Sequence, residues 1–365
     1  MAESEPSNDG ISFHKASIRL AVALSIGGAG GALFATLDLP LPWLLGALTA
    51  TTTASMAGVR MAVPDRLRQP MIAVLGLMLG TTFTPARVEA AVSWLPTLSA
   101  LLVYVVVVGA AIWLYLRRFS GLDRATTFFA STPGGLGEMV ALSAQFGGDQ
   151  RTVSLIHGTR VLFIALTIPF LASLYQPRVA PPALDLLAIA WGPLLALFGL
   201  GMIGYLIAAR VRLPAATFVG PLLGSAIAHG TSVIAVQPPF LLMAVSQLVI
   251  GASVGVRFCG FGAARLAGAM LLGAGGTLLM LLITLAFGGA LHQLTGQPLA
   301  LLLLAFIPGG LVEMSLIALG LGADPAFVVT HHAMRIFLVV LIALPLSAWL
   351  RCSGWLGAPN PGPPS

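Results

Sequence analysis

Charged residues are scarce in this sequence of 365 residues: they make up 8% of it, whereas hydrophobic residues make up 58%. Soluble globular domains contain about 25% charged residues, so this composition excludes an ordinary soluble fold. The two cysteines, Cys259 and Cys352, have no CxxC or paired-histidine context, which argues against a disulfide framework and a thiolate metal site. The glycine runs lack the Lys-Ser/Thr context of a phosphate loop, so the sequence shows no machinery for nucleotide hydrolysis.

The net charge of +6 does not indicate nucleic-acid binding. The 18 Lys and Arg residues stand in small groups between apolar segments, with no basic stripe or recognition helix. Scattered cations of this kind are typical of the positive-inside rule of membrane proteins. We therefore expect no direct nucleic-acid partner.

Apolar stretches long enough to cross a bilayer recur along nearly the whole chain, which predicts an all-α polytopic membrane protein. We predict ten full spans, near 18–37, 41–61, 70–84, 93–116, 153–175, 184–209, 213–235, 239–258, 264–289 and 326–350. Two further segments, 123–146 and 299–320, are interrupted by Pro-Gly-Gly. The predicted organisation is a polar N-terminal segment (1–17), two membrane repeats (18–175 and 176–350) and a tail (351–365) that is disordered by composition.

One motif occurs twice. STPGGLGEM begins at Ser131, and FIPGGLVEM begins at Phe306, about 175 residues later. After each copy the chain continues through a Gly and an Asp to a His that stands three residues before an Arg. The sequence thus predicts two copies of one unit, each with ionisable residues among apolar segments. Such duplicated halves are typical of secondary transporters.

The candidate residues for binding a substrate or an ion are the same in both copies. Pro-Gly-Gly suits the start of a helix, whose unpaired N–H groups can bind an anion or favour an ionised Glu. The alternative, in which each Glu only caps its own helix, stays open. The candidates are Pro133, Gly134, Gly135, Glu138, His157 and Arg160 in the first copy, and Pro308, Gly309, Gly310, Glu313, His332 and Arg335 in the second.

Arg160 and Arg335 are predicted to lie too deep within their spans to snorkel to the surface. A charge near the middle of the membrane costs about 2.5–3.5 kcal/mol, so each Arg needs a partner. We expect Glu138 and Glu313 to pair with them, directly or through water. The result is either a structural ion pair or a site for substrate or protons, in which the His one turn earlier titrates near neutral pH.

Three other polar residues have a structural or secondary role. Asp149 and Asp324 lie in turn-like sequences at the start of the following spans, where an N-cap is expected. His331 has no counterpart in the first copy. The histidines and the two Glu match no metal-binding spacing, so we expect no metal, no cofactor and no enzymatic role.

The positions of Lys and Arg favour inverted halves. Six crossings per half place ten cations inside and six outside, whereas five crossings per half, with each interrupted segment returning on its own side, place fourteen inside and two (Arg87 and Arg178) outside. We therefore predict inverted repeats of five spans, each with one broken or re-entrant helix. Both termini are expected in the cytoplasm of a bacterium, and the protein in its inner membrane. The short 70–84 stretch is the main competitor for the segment that fails to cross.

The duplicated PGGxxEM…D…HxxR pattern resembles the bacterial membrane AbrB family, also described as the AbrB duplication membrane proteins, from about residue 20 to 350. The resemblance implies a layout similar to that of cation/anion antiporters and bile-acid/sodium symporters. Members also carry the labels transcriptional regulator and ammonia monooxygenase. The sequence itself shows no DNA-binding element and no copper cluster.

We expect secondary transport of a small, anionic solute, coupled to H+ or Na+, with membrane lipid as the surrounding partner. A membrane sensor that affects gene expression indirectly is the alternative, and an ammonia monooxygenase-like enzyme is a remote one. The oligomeric state is open, a homodimer included. Both Pro-Gly-Gly turns are expected at membrane depth, close to each other and flanking one internal cavity.

Overall fold

The computed structural model describes residues 9–173 and 190–355, and all regular structure in these ranges is helical. The all-α prediction is therefore confirmed. The predicted outside residue Arg178 and residues 356–365 of the predicted tail lie outside the described residues.

Fifteen α-helices make up the described part of the chain. A short 3₁₀ turn, Ala91–Trp94, joins α4 to α5. The helices are α1 (Asp9–Thr36), α2 (Pro42–Met56), α3 (Asp65–Gly80), α4 (Pro85–Ala90), α5 (Leu95–Phe119), α6 (Arg124–Ser131), α7 (Leu136–Gln145), α8 (Gln150–Ser173), α9 (Trp191–Arg210), α10 (Ala216–Gly230), α11 (Phe240–Gly255), α12 (Ala263–Thr295), α13 (Leu299–Phe306), α14 (Leu311–Gly320) and α15 (Pro325–Cys352).

Seven segments of the described chain are long and apolar enough to cross a membrane, and each matches a predicted span. The other three predicted spans are shorter than expected: α2 and α10 have 15 residues and α3 has 16, whereas a full crossing needs about 20. Leu41 and Ala215 adopt left-handed conformations that start α2 and α10 late. The residues of these turns are apolar as well, so hydrophobicity alone predicted longer helices than the structure has.

The chain divides into two compact units, which we describe separately. Of the described residues, the first contains 9–71 and 244–262, and the second contains 72–173, 190–243 and 263–355. In the first unit α1 packs closely on α2, because Gly30 and Gly46 face each other and a Cβ on either would collide with the opposite backbone. Both Pro-Gly-Gly motifs lie in the second unit.

Both segments predicted to be interrupted are pairs of short helices, as expected. In the first copy α6 ends at Ser131 and α7 begins at Leu136; the second copy has the same break between α13 and α14. The residues before the prolines, Thr132 and Ile307, are extended, with ψ of 124° and 128°. A following proline disfavours the helical conformation, which explains where each first helix ends.

The first broken segment enters and returns at one end of the second unit. The backbone N–H of Asp149, just before α8, donates to Thr126 Oγ1 near the start of α6 at 2.8 Å. The start of α6 and the end of α7 therefore lie together. At the same end, Arg351 near the C-terminus of α15 donates to the carbonyl of Gln145, the last residue of α7. The start of α8 thus adjoins the end of α15, and these two helices run in opposite directions.

Four long helices, α5, α8, α12 and α15, surround the broken segments. Tyr104 on α5 shares a hydrogen bond of 2.7 Å with Thr284 on α12, and both are fully buried. Gly273 on α12 packs against Thr159 on α8, where an added Cβ would collide. These contacts hold α12 alongside α5 and α8 and place the two motifs in the interior of the second unit.

Candidate functional site

Arg335 is buried among the backbone carbonyls of the second Pro-Gly-Gly turn, with 1% of its surface exposed. Its Nη1 donates to Ile307 O at 2.9 Å and to Phe306 O at 3.5 Å, and its Nη2 donates to Gly309 O at 2.9 Å. A helix that ends at a proline leaves its last carbonyls without intrahelical donors. The guanidinium group supplies those donors, so it holds the broken helix in place.

Arg160 occupies the equivalent position in the first copy but has fewer contacts. It is 4% exposed, and its Nη2 donates to Gly134 O at 3.3 Å. Each Arg bonds the first glycine of its own motif, 26 residues earlier in both copies. The Nε atoms of Arg160 and Arg335 are buried and have no hydrogen-bond partner within the described ranges.

The predicted direct ion pairs between these arginines and Glu138 or Glu313 are wrong. Throughout 9–173 and 190–355, the groups that bond Arg160 and Arg335 are backbone carbonyls and one histidine, and no carboxylate. The physical reason is local: carbonyls freed by the helix break lie nearer than the acidic side chains. Carbonyl dipoles therefore compensate part of the charge of each Arg.

Glu138 and Glu313 instead lie at the N-termini of their own helices, α7 and α14. Each carboxylate lies against the N-cap glycine, Gly135 or Gly310, in the space that a Cβ there would occupy. Glycine at the N-cap is thus what admits the carboxylate. A negative charge is stabilised by the positive end of the helix dipole, so the geometry favours the capping alternative that the sequence left open.

The histidines of the two motifs are anchored in the same way. His157 Nε2 donates to Phe129 O and His332 Nε2 donates to Leu304 O, both at 2.9 Å and both to a residue 28 positions earlier. His332 Nδ1 accepts from Arg335 Nη2 at 3.1 Å, so the ring is neutral with its proton on Nε2. A second proton would place another positive charge beside Arg335. This argues against His332 as the titrating group.

His331, which has no counterpart in the first copy, joins α15 to α5. Its Nδ1 donates to Phe327 O at 2.8 Å, and its Nε2 lies 2.8 Å from Thr97 Oγ1. The ring also packs against that of Phe327 at 4.0 Å between centroids. These are helix-packing contacts, in keeping with the secondary role expected from the sequence.

Each Pro-Gly-Gly turn packs against the long helix of the other copy. A Cβ on Gly134 would meet Val339 on α15, and a Cβ on Gly309 would meet Ile164 on α8. Both contacted residues lie one helical turn beyond the motif arginine. The turns thus cross near the two guanidinium groups, which are close enough for their charges to interact.

Tyr104 is a residue of this site that sequence reasoning missed. It is fully buried, and its hydroxyl lies within electrostatic range of both Arg160 and Arg335. Its hydroxyl shares a hydrogen bond with Thr284. A single Tyr in an apolar helix carries no sequence pattern that would mark it. Only the assembled fold shows that it faces the arginines.

Two cavities of the described chain border the first motif. One of about 10 Å³ is lined by Arg160 and Thr277 and has room for about one water molecule. A larger one, of about 350 Å³, reaches Ser131, Thr132 and Pro133. Neither is lined by the second turn. A single cavity flanked by both turns stays a prediction.

Asp149 and Asp324 cap α8 and α15, as expected. Asp149 Oδ1 accepts from the backbone N–H of Arg151 at 2.9 Å, and Asp324 Oδ1 accepts from that of Ala326 at 3.0 Å. Each also forms an ion pair that joins the two copies: Asp149 with Arg265 at 2.7 Å, and Asp324 with Arg87 at 3.3 Å.

Burial alone would raise the pKa of Asp149, but other contacts outweigh it. Hydrogen bonds from the side chain and backbone of Thr152 and from the backbone of Arg151, with the nearby charge of Arg265, hold the pKa of this carboxyl below its usual range. Asp149 is therefore ionised at neutral pH.

Within the residues described, no three His, Cys, Asp or Glu side chains are grouped closely enough to hold a metal ion. The site thus contains two buried arginines with their carbonyl partners, the N-termini of α7 and α14 with one glutamate each, and one tyrosine.

The family model described as "Transition state regulatory protein AbrB" matches residues 43–351, a range that contains both motifs. The chain belongs to the AbrB family. The resemblance carried by the duplicated motif is thereby confirmed. The seven candidate membrane spans described above are those of a multi-pass membrane protein.

Two AbrB-like proteins illustrate the similarity. YhjN of Bacillus subtilis (strain 168) is 27% identical over 350 residues, which cover 88% of this chain and 90% of that protein. The "Putative regulator AbrB" of Escherichia coli (strain K12) is 29% identical over 331 residues, which cover 88% of this chain and 92% of that protein. Neither name is that of an enzyme.

Proposed function

We propose that this AbrB-family protein is a secondary transporter of a small anionic solute, and that Arg160 and Arg335 bind the solute. The observation that carries the proposal is the pair of buried guanidinium groups: their Nε–H donors have no partner, and no carboxylate contacts them, within the described residues. The proposed location is the inner membrane of a bacterium, with both termini in the cytoplasm.

The electrostatics of the pair favour an anion. Two like charges lie within interaction range in a segment predicted at membrane depth, where each charge is costly. Carbonyl dipoles compensate only part of that cost. A carboxylate or phosphate oxygen would accept the free Nε–H donors and neutralise the charge, and the planar guanidinium group suits such oxygens.

The directions of the helices support inverted halves. α8 and α15 carry the two arginines and run in opposite directions, because Arg351 at the end of α15 contacts Gln145 just before α8. Broken helices that meet from opposite sides of a bilayer are a common design for alternating access.

In the conformation described, the space at Arg160 holds about one water molecule, so the site is closed. Transport therefore requires the two turns to separate. We propose H+ or Na+ as the coupling ion, carried by the carboxyl groups of Glu138 and Glu313, which are half-buried at the starts of α7 and α14.

The test is flux in proteoliposomes that contain the purified full chain. Acetate, succinate and inorganic phosphate would be offered under an imposed pH gradient and, separately, a Na+ gradient. We expect uptake of at least one anion, and its loss in Arg160→Gln, which removes one long hydrogen bond from the fold. Arg210→Gln, at the exposed end of α9, is the matched control.

The second candidate function is a membrane sensor that affects gene expression. It is favoured by the family description and by the name of the Escherichia coli relative. A change in transcript levels on deletion, with no flux of any anion in either gradient, would support this candidate and overturn transport. No observation favours the ammonia monooxygenase-like alternative.

A further inference from the structure

The larger cavity of the second unit lies between α5 and α15. Its volume is about 350 Å³, within the range of pockets that bind small molecules. Its lining is almost wholly apolar and includes Val106 and Gly109 of α5 and Val339 and Leu346 of α15. Val106 is 56% exposed and Leu346 is 38% exposed, so the cavity opens to the outside of the helix bundle. Both helices belong to candidate membrane spans, so we expect the opening of the cavity to face lipid.

Cations lie near one end of this cavity. Trp355 lines it, and Arg124 donates to Trp355 O at 3.2 Å while its guanidinium group lies 5.5 Å from the centre of the indole ring. Arg351 directly follows the lining residue Leu350. Arg124 and Arg351 are exposed, and no carboxylate pairs with either in the described chain. Arg117 and Arg118, at the end of α5, add two further positive charges.

A buried donor lies in the same region. Trp113 lines the cavity, and its Nε1 is buried without a hydrogen-bond partner among the residues described. Buried donors are nearly always satisfied, so this one indicates an acceptor from outside the described residues. Trp113 lies next to Trp355, with 5.9 Å between the ring centres, and is therefore just inside the cationic end.

We propose that this cavity binds one acyl chain of an anionic phospholipid. The phosphate lies at Arg124 and Arg351, an ester carbonyl accepts from Trp113 Nε1, and the chain extends along the apolar wall toward Pro133. Along the cavity the cations come first, then the hydrogen-bond donor, then the apolar wall. An anionic phospholipid presents its phosphate, its ester carbonyl and its acyl chain in the same order. A neutral lipid would leave the arginines unmatched, and a soluble anion would leave the apolar wall unmatched.

The test is native mass spectrometry of the detergent-purified full chain with equal amounts of dioleoylphosphatidylglycerol or dioleoylphosphatidylcholine. We expect one tightly retained phosphatidylglycerol and little phosphatidylcholine. Arg124→Gln with Arg351→Gln should weaken phosphatidylglycerol binding by about tenfold or more, since each surface cation contributes substantially to the attraction of anionic lipid. Arg210→Gln with Arg212→Gln, at another exposed turn, should leave it unchanged.

A cavity variant tests the position of the acyl chain. Ala110→Phe fills the apolar space and should reduce binding of both lipids. If that variant fails to fold, phosphatidylglycerol with brominated acyl chains gives the same information, because it should quench wild-type tryptophan emission, and Trp113→Phe should remove most of the quenching. Equal retention of the two lipids, equal loss in the control variant, or a lipid-free dimer that Ala110→Phe disrupts would each overturn the proposal.

Discussion

Gly134, in the first Pro-Gly-Gly turn, packs against Val339, which lies one helical turn beyond Arg335 on α15. The reciprocal contact joins Gly309 to Ile164 on α8. Each copy of the motif thus completes the packing of the other. Each turn thus contacts the helix that carries the other arginine.

The first prediction concerns this contact. Gly134→Ala should lower the free energy of unfolding by about 1–3 kcal/mol, because the added methyl group collides with Val339 and Met139. Adding Val339→Ala should recover part of that loss, so the double variant should be less destabilised than the sum of the single ones. Thermal unfolding in detergent measures both. Gly137→Ala, where a Cβ meets open space, is the control and should be neutral or stabilising.

The second prediction concerns the different numbers of hydrogen bonds that Arg160 and Arg335 form. Arg335→Gln leaves the buried carbonyls of Phe306 and Gly309 without a donor, at about 1–3 kcal/mol each, and removes one of the two donors to Ile307 O, whereas Arg160→Gln frees one carbonyl at the end of a long bond. The Arg335 variant should therefore unfold at a clearly lower temperature than the Arg160 variant. An Arg160 variant that is equally or more unstable would contradict the geometry described.

The third prediction separates capping from coupling. Glu138→Gln and Glu313→Gln each remove a charge from a helix N-terminus and should cost about 0.3–1 kcal/mol of stability. If these residues carry the coupling ion, each variant should also lose gradient-driven flux per folded molecule. The two effects should differ in size, since Gly137 stands where the second copy has Val312. Unchanged flux with reduced stability would leave capping as their whole role.

The fourth prediction is a pH dependence at Asp149. Its pKa is lowered in the folded protein, so its contribution to stability is present above the usual pKa of about 3.9 and is lost as the pH falls through the lower, folded-state pKa. Asp149→Asn should cost about 0.5–1 kcal/mol at pH 7, because the side chain is partly exposed and screened by water. The difference from wild type should shrink in unfolding experiments toward pH 3; a penalty that is constant from pH 7 to pH 3 would be inconsistent with this assignment.

The fifth prediction concerns orientation. Val211 is 59% exposed in the turn after α9, on the side predicted to be cytoplasmic. With Cys259 and Cys352 replaced by Ser, a single Val211→Cys should resist a membrane-impermeant maleimide in intact cells and react after permeabilisation. Labelling from outside would reject inverted halves.

The sequence predicted the broken helices and the two aspartate caps, because both depend on local rules. Proline disfavours helix in the residue before it, and an Asp before a span accepts the first free N–H groups. The positions of Arg160 and Arg335 within the interior were also predicted, since a repeated motif marks equivalent places in two copies.

The partners of the arginines could not be predicted in this way. Backbone carbonyls are the same at every residue, so no letter of the sequence distinguishes Ile307 O as a ligand of Arg335. The contact of Tyr104 with the site and the ion pairs of Asp149 and Asp324 join residues far apart in the chain. Such contacts follow only from the assembled fold.

The difference between the two arginine sites also affects which conformation a protein with two similar halves prefers. Two identical halves that exchange roles would give two end states of equal free energy, each occupied half of the time. Here Arg335 has bonds to three carbonyls and a histidine, and Arg160 has one. In a transporter of the proposed kind, this difference would remove the degeneracy: the half that contains Arg335 would be held more firmly, and a few hydrogen bonds would favour one of the two end states.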